Sequence, residues 1–247
     1  MWDDARQMNA LAITLALITA LGLAWAVAVW IVRQPAFAFR DVVVATKLER
    51  TNAAHLEAVI RDELTGTFFT MDLERARTAL AQVPWVRGVA LRRQWPRRLE
   101  LEVDEHEPLA RWNDGKLVNT RGEVFNAQWS AELPQFTGAE GRAAEIAARY
   151  RGWSDELRAL ALSIREVRMS PRGGWQLKTA GEQGALTLEL GRDDIDGRLS
   201  RFVAAYGRTL GALSRAGTRV GTVDLRYRNG FAARVPEFRE RLAKPAA

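Results

Sequence analysis

The sequence predicts an α+β protein with a single N-terminal transmembrane helix, a small β-α-α-β-β domain and then a mixed β domain with an antiparallel-type sheet and flanking helices. Three observations carry this. Ala10 to Val32 holds no charged residue. Leu99, Leu101 and Val103 alternate with Glu100, Glu102 and Asp104, the period of a half-buried strand. Beyond Pro108, short apolar runs alternate with turn residues and two helical stretches.

The apolar stretch comes first. Its 23 residues span about 35 Å as a helix, enough for a hydrocarbon core of about 30 Å. Its polar residues are Thr14 and Thr19, and Trp25 and Trp30 stand toward its end, where indoles favour the membrane interface. The apolar core of a signal peptide runs only about 7–15 residues, so despite the Ala26-Val27-Ala28 triplet this segment reads as a retained anchor, 10–32, behind a short cytoplasmic piece, 1–9. Arg6 before it and Arg33 and Arg40 after it do not favour that orientation, but long domains translocate regardless of such counts.

Phe37 to Val44 reads as a first strand. Thr51 or Asn52 caps a helix whose stripe is Leu56, Val59, Ile60 and Leu64, ended by Gly66. Asp72 caps a second helix with Leu73, Ala76 and Leu80 on one face, and Pro84 follows it. A hairpin then turns at Gln94-Trp95-Pro96-Arg97, its arginines placed to pair with the acids across it. Trp85 and Trp95 read as core or turn-packing residues. A first domain over 37–107 follows.

The second domain, 108–236, starts with short strands at Ala110–Trp112, Leu117–Val118 and Val124–Phe125. A helix from Ala143 to Ile164 is expected to break near Gly152. Strands return at Ile164–Met169, Gly174–Lys178 and Ala185–Leu190, with Trp175 buried. The Asp193-Asp194 pair reads as the cap of a helix carrying Leu199, Phe202, Val203 and Tyr206. The last strands, Val220–Tyr227 and Phe231–Val235, join across Arg228-Asn229-Gly230, and Asn-Gly is a hairpin-turn signal. A final strand is a natural edge, open to strand addition unless Arg234 and Pro236 protect it. A short tail, 237–247, closes the chain.

Composition narrows the function classes. A formal net charge of +6 is spread among interspersed acids and bases, which suits a solvated surface better than nucleic-acid binding. The absence of cysteine excludes disulfides, zinc–thiolate sites and thiol nucleophiles. His55 and His106 lack companions at metal-ligand spacing, and no phosphate-binding glycine loop or nucleophile elbow occurs. No catalytic residue, metal, cofactor or small-molecule substrate is therefore expected.

The order of motifs resembles the bacterial FtsQ/DivIB cell-division family. Val83-Pro84-Trp85-Val86 with Arg92-Arg93-Gln94-Trp95-Pro96-Arg97-Arg98-Leu99 resembles its POTRA (polypeptide-transport-associated) hairpin. Glu107-Pro108-Leu109-Ala110-Arg111-Trp112 resembles the junction into its second domain. Ser170 to Trp175, Leu190 to Asp193 and Val223 to Ala232 are similar to landmarks of that domain. The resemblance implies a non-enzymatic inner-membrane scaffold at the division septum, its bulk in the periplasm. Its partners would be the periplasmic segments of FtsB and FtsL with other divisome proteins, one partner segment adding a strand at the C-terminal edge.

By position in the resemblance, Arg172, Arg226, Tyr227, Asn229 and Gly230 would line the partner site. Both arginines would meet acidic partner residues, and Tyr227 would supply aromatic contact. Some members carry Trp where this chain has Val235, with Phe231 as the candidate replacement. The alternative is a POTRA-bearing chaperone or polypeptide-transport module, which would normally carry repeated POTRA domains or a barrel. A cell-wall binder or hydrolase would need paired acids or a metal constellation in a groove.

Overall fold

The computed structural model describes residues 5–63, 66–182, 184–215 and 218–235. Leu64, Pro236 and the tail 237–247 lie outside the described residues, as do the first four residues. The chain divides into two compact units, Met1–Glu105 and His106–Ala247.

In the first unit, helix α1 (Ala5–Val32) is long and apolar enough to cross a membrane from Met8 to Val32, and no part of that span is buried by protein. Thr14 and Thr19 turn their hydroxyls onto the carbonyls of Ala10 and Leu15, one turn back, so neither presents an unpaired donor to lipid. The chain then makes a 3-10 turn, Pro35–Phe37, with proline at its start. The first strand, β1 (Asp41–Val44), therefore begins later than Phe37. Phe37 and Phe39 are instead drawn into an aromatic cluster with Phe68 and Phe69.

Helix α2 (Ala53–Glu63) is capped by Asn52, whose Oδ1 accepts from the amide of Ala54 at 2.9 Å. Asp72 caps helix α3 (Leu73–Leu80), its Oδ1 accepting from Glu74 and Arg75. Strands β2 (Val86–Gln94) and β3 (Arg98–Glu105) form the hairpin, with β1 parallel to β3 on its other side. The sheet order is thus β1-β3-β2. Period 2 puts Leu99, Leu101 and Val103 at 3% exposure or less, packed with Leu56, Ala76 and Leu80 of the helices. On the outer face Arg87 pairs with Asp104, and Arg92 with Glu102 at 3.8 Å. Arg93 donates instead to the carbonyl of Met71 at 2.6 Å. Trp95, expected in the core or packing the turn, is 67% exposed and rests edge-on against Phe68.

The second unit is a nine-stranded sheet with helices over one face. Its strands are β4 (Pro108–Trp112), β5 (Lys116–Asn119), β6 (Val124–Phe125), β7 (Gln135–Thr137), β8 (Ser163–Met169), β9 (Trp175–Gly181), β10 (Gly184–Gly191), β11 (Thr222–Asp224) and β12 (Ala232–Arg234). The order is β12-β11-β10-β9-β8-β7-β4-β5-β6. Junctions β4–β7, β7–β8 and β10–β11 are parallel and the others antiparallel, so the sheet is mixed. The three-residue β7, absent from the sequence reading, joins one meander to the other. Its Phe136 is fully buried.

Helix α4 (Ala143–Arg158) runs through Gly152 without a break. Glycine costs a helix about 1 kcal/mol, and burial of Ile146, Ala147, Trp153 and Leu157 on the same helix outweighs that. The helix ends before Ile164, where Ala161 takes the left-handed conformation and the amides of Ala161 and Leu162 return to the carbonyls of Arg158 and Leu157. Helix α5 (Ile195–Tyr206) lies beside α4, and Asp196 accepts from Trp153 Nε1 at 2.7 Å and pairs with Arg149 at 2.8 Å. Asp194 does not cap α5 with its side chain; its own backbone is left-handed, and its carboxylate pairs with Arg201 at 3.1 Å. A short helix α6 (Leu210–Arg215), also unforeseen, follows. Trp175 is buried as expected, edge-on to Trp153 at 5.3 Å.

Candidate functional site at the C-terminal sheet edge

Among the described residues, β12 is an end strand of the large sheet, paired only with β11. The two are antiparallel, with Thr222, Val223 and Asp224 opposite Arg234, Ala233 and Ala232. The hydrogen-bond phase of this edge is set two strands inward. Thr187 N–H donates to Gly221 C=O, and Leu225 N–H to Glu189 C=O, each near 3 Å. Val223, between them, therefore turns its backbone groups toward β10, while the Gly221 amide turns the other way and donates to the Arg234 carbonyl at 3.1 Å. Thr222 and Asp224 are left to bond β12, so Ala232 and Arg234 bond inward and Ala233 directs its N–H and C=O to the open edge. The small side chains of Ala232 and Ala233, both exposed, leave that backbone accessible.

The loop before β12 is longer than expected. Asn229-Gly230 does not form a two-residue turn; the strands are three residues each, and 225–231 form the connection. Phe231 holds it by packing edge-on to Phe202 of α5 at 5.9 Å. That half-buried ring anchors the loop. Tyr227, 58% exposed, is the free aromatic surface. Asn229 and Gly230 are exposed beside it.

Arg172 sits in the tight β8–β9 turn, where Ser170 bonds Gly173 and Gly174, and is exposed. The turn is at the same end of the sheet as the 225–231 loop, because Trp175 of β9 pairs with Gly191 of β10 and Leu225 follows β11 at that end. Gly191 has positive φ, and a Cβ there would lie 3.0 Å from Arg226 Cγ and 2.7 Å from Arg198 Nη1, so glycine lets the arginines cross this corner. The structure thus brings Arg172, Arg226, Tyr227, Asn229, Gly230 and Phe231 to one end of the sheet. Val235 stands at the other end of β12.

Arg226 is already engaged. Its Nε and Nη2 donate to the two oxygens of Asp224 at 2.8 and 2.6 Å, and its amide donates to Oδ1 at 3.0 Å. The hydrogen bond from Arg226 holds the Asp224 carboxyl below the usual aspartate range, and Asp224 raises the Arg226 pKa in turn. Glu189, Thr222, Asp224, Arg226 and Arg234 line a shallow open groove along β10–β12. Glu189, Thr222 and Asp224 were not among the expected site residues. Their signal was present in the polar alternation of Thr187-Leu188-Glu189 and Thr222-Val223-Asp224, whose outward positions share one face. Farther along that face Glu166 bonds both Lys178 and Arg168 at 2.7 Å. Burial raises its pKa, but the two cations override this and leave it lowered.

His55 is exposed on α2, and His106 stacks on Phe125 at 4.0 Å. Asn119 Nδ2 lies 2.9 Å from His106 Nδ1. Among the described residues no group of three His, Cys, Asp or Glu is arranged to hold a metal ion.

Comparison with known proteins is consistent along the chain. Residues 37–106 match the model of the POTRA domain, FtsQ-type, and residues 110–226 that of the cell division protein FtsQ/DivIB, C-terminal. The cell division protein FtsQ of Burkholderia pseudomallei is 39% identical over 243 residues, covering 97% of this chain and 96% of the relative. That of Bordetella pertussis is 34% identical, covering 94% and 92%, and that of Nitrosospira multiformis 32%, covering 95% and 99%.

Proposed function

The chain belongs to the FtsQ/DivIB family of cell-division proteins, and from that premise we propose that it is a membrane-anchored scaffold of the divisome that acts by binding rather than catalysis. On this reading α1 holds it in the inner membrane as a type II single-pass protein, with domains 37–107 and 108–236 in the periplasm at the septum. Its partners are the periplasmic segments of FtsB and FtsL.

The observation that carries the reading is the outward-facing backbone of Ala233. A partner segment adding antiparallel or parallel to β12 completes the hydrogen bonds of that residue, and the neighbouring loop supplies Tyr227 as contact area. Arg172 at the corner and Arg234 at the far end of β12 offer positive charge to an acidic segment, which speeds encounter and fixes register, and Arg226 joins them where an incoming carboxylate displaces Asp224. Asn229 and Gly230, small and exposed, leave room for the incoming chain, and Val235 borders its far end.

The test uses the full chain in lipid nanodiscs and the periplasmic segment of FtsB, with FtsL beside it, in calorimetric titration. Ala233→Pro removes an edge donor without touching the β11 ladder. The expected result is a loss of binding of about tenfold or more, roughly 1.4 kcal/mol, with melting unchanged; Tyr227→Ala is expected to do the same. Unchanged binding in both variants would put the partner surface elsewhere. Absence of binding to either segment by the folded wild-type chain would remove the scaffold assignment.

A further inference from the structure

The first unit carries a chain of aromatic rings that starts at its core, where Phe39 packs against the Met71, Ala76 and Leu99 cluster, and runs outward to exposed rings. Phe37, Phe69, Phe68 and Trp95 follow edge to face with centroids 5.4, 5.3 and 5.6 Å apart, and Phe39 leans on Phe68 at 6.0 Å. At one end the chain of rings starts just beyond α1, and at the other it reaches the tip of the β2–β3 hairpin. Phe69 is 48% exposed and Trp95 67%. Water does not favour two large rings held outward side by side.

Their position says what covers them. Thr67 Oγ1 donates to the carbonyl of Val32, the last residue of α1, at 2.7 Å. Phe68 N–H donates to Phe37 C=O at 2.8 Å, and Ala38 bridges Thr67. The 66–71 loop is therefore tied to the point where the helix ends. Trp30, 66% exposed two residues earlier, marks the membrane interface on the helix itself. Arginines rim the same end: Arg33 follows the helix, Arg40 bonds Arg97 through the backbone at 3.0 Å, and Arg98 stands opposite Asp41 in the sheet. Arg33, Arg40 and Arg98 are exposed. Apolar rings beside cationic side chains at a helix exit match the acyl–headgroup boundary, which takes both.

We infer that this face is a membrane-contact surface that seats the first domain on the leaflet α1 leaves. Phe69 and Trp95 enter the boundary region, and Arg33, Arg40 and Arg98 meet lipid phosphates. The domain is then held by two attachments, a spanning helix and an interfacial wedge, so its orientation to the bilayer is set rather than free.

The absence of cysteine makes the test direct, because any introduced cysteine is unique. Full-length Phe69→Cys, Trp95→Cys and Gln94→Cys are spin-labelled and reconstituted into vesicles of phosphatidylethanolamine with and without phosphatidylglycerol. Gln94→Cys keeps all five rings, and Thr78→Cys on the exposed side of α3 is the aqueous control. The expected result is an oxygen-to-nickel accessibility ratio several-fold above that of position 78 at positions 69, 94 and 95, higher with phosphatidylglycerol present. Ratios equal to the control would overturn the inference. Labels shielded from both reagents would also overturn it, since that pattern means coverage by protein rather than lipid.

Discussion

Arg226 folds back onto Asp224, two residues earlier, with its Nε and Nη2 on separate carboxylate oxygens at 2.8 and 2.6 Å. The cation expected to meet a partner's acid is thus occupied in the free chain. Any incoming carboxylate competes with Asp224 for the same donors.

Asp224→Asn is therefore expected to tighten binding of an acidic partner segment several-fold and to steepen its dependence on salt, because Arg226 is released from its intramolecular pair. Titration at two ionic strengths reads both effects. Weaker binding would mean that Asp224 positions Arg226 for the partner rather than withholding it.

Glu105, at the end of β3, gathers the backbone amides of Glu49, Arg50 and Thr51, the shortest at 2.7 Å. Burial pushes this carboxyl up, but hydrogen bonds from Thr51, Glu49 and Arg50 override it and hold its pKa low. A lowered folded value means stability that is complete above the ordinary glutamate pKa of about 4.3 and is lost as pH falls through the folded value. Glu105→Gln is expected to cost about 1–2 kcal/mol at neutral pH and to flatten the acid limb of the denaturation curve. A wild-type acid limb retained in the variant would assign that limb to other carboxylates.

Gly122 has a φ of +84°, and a Cβ there would lie 2.5 Å from the Cα of Ala144 in the first turn of α4. Both the backbone and the neighbour refuse a side chain. Gly122→Ala is expected to lose about 2–3 kcal/mol or more in chemical denaturation. A loss under about 0.5 kcal/mol, within the range of ordinary surface substitutions, would mean that α4 can shift.

What could be read from the sequence depended on how many residues repeated one message. The β2–β3 hairpin was legible because Leu99, Leu101 and Val103 stayed in phase over a whole strand. Asp72 was legible as a cap because an apolar helical stripe followed it at once. β7 was not, since Gln135-Phe136-Thr137 is too short for a period and owes its strand to parallel neighbours on both sides. Gly152 misled because the burial of Trp153 and Leu157 is a tertiary fact. The expected site residues were named from resemblance, but the outward turn of Ala233 could not be. It depends on a hydrogen-bond phase handed from β10 through β11, and no local pattern encodes it. For the same reason Phe231 looked like a contact anchor, and only the position of Phe202 shows that it faces inward.

The narrowness of β7 has a mechanical side. Among the described residues, the strand pairing between the β4–β6 meander and the β8–β12 part of the sheet passes through the three residues of β7, with the Pro134 carbonyl beside them accepting from Arg111 N–H. A pull applied across the sheet, from a partner clasped at β12 to the end where the chain enters at Pro108, meets only short ladders at β12–β11, at β11–β10 and at β7, none with more than three paired positions. The β2–β3 ladder, with eight paired positions, sustains far more. Under tension the second domain should yield at these short ladders while the longer β8–β9 and β9–β10 ladders hold, so its three-residue strands, β7 among them, set the force at which it stops transmitting load.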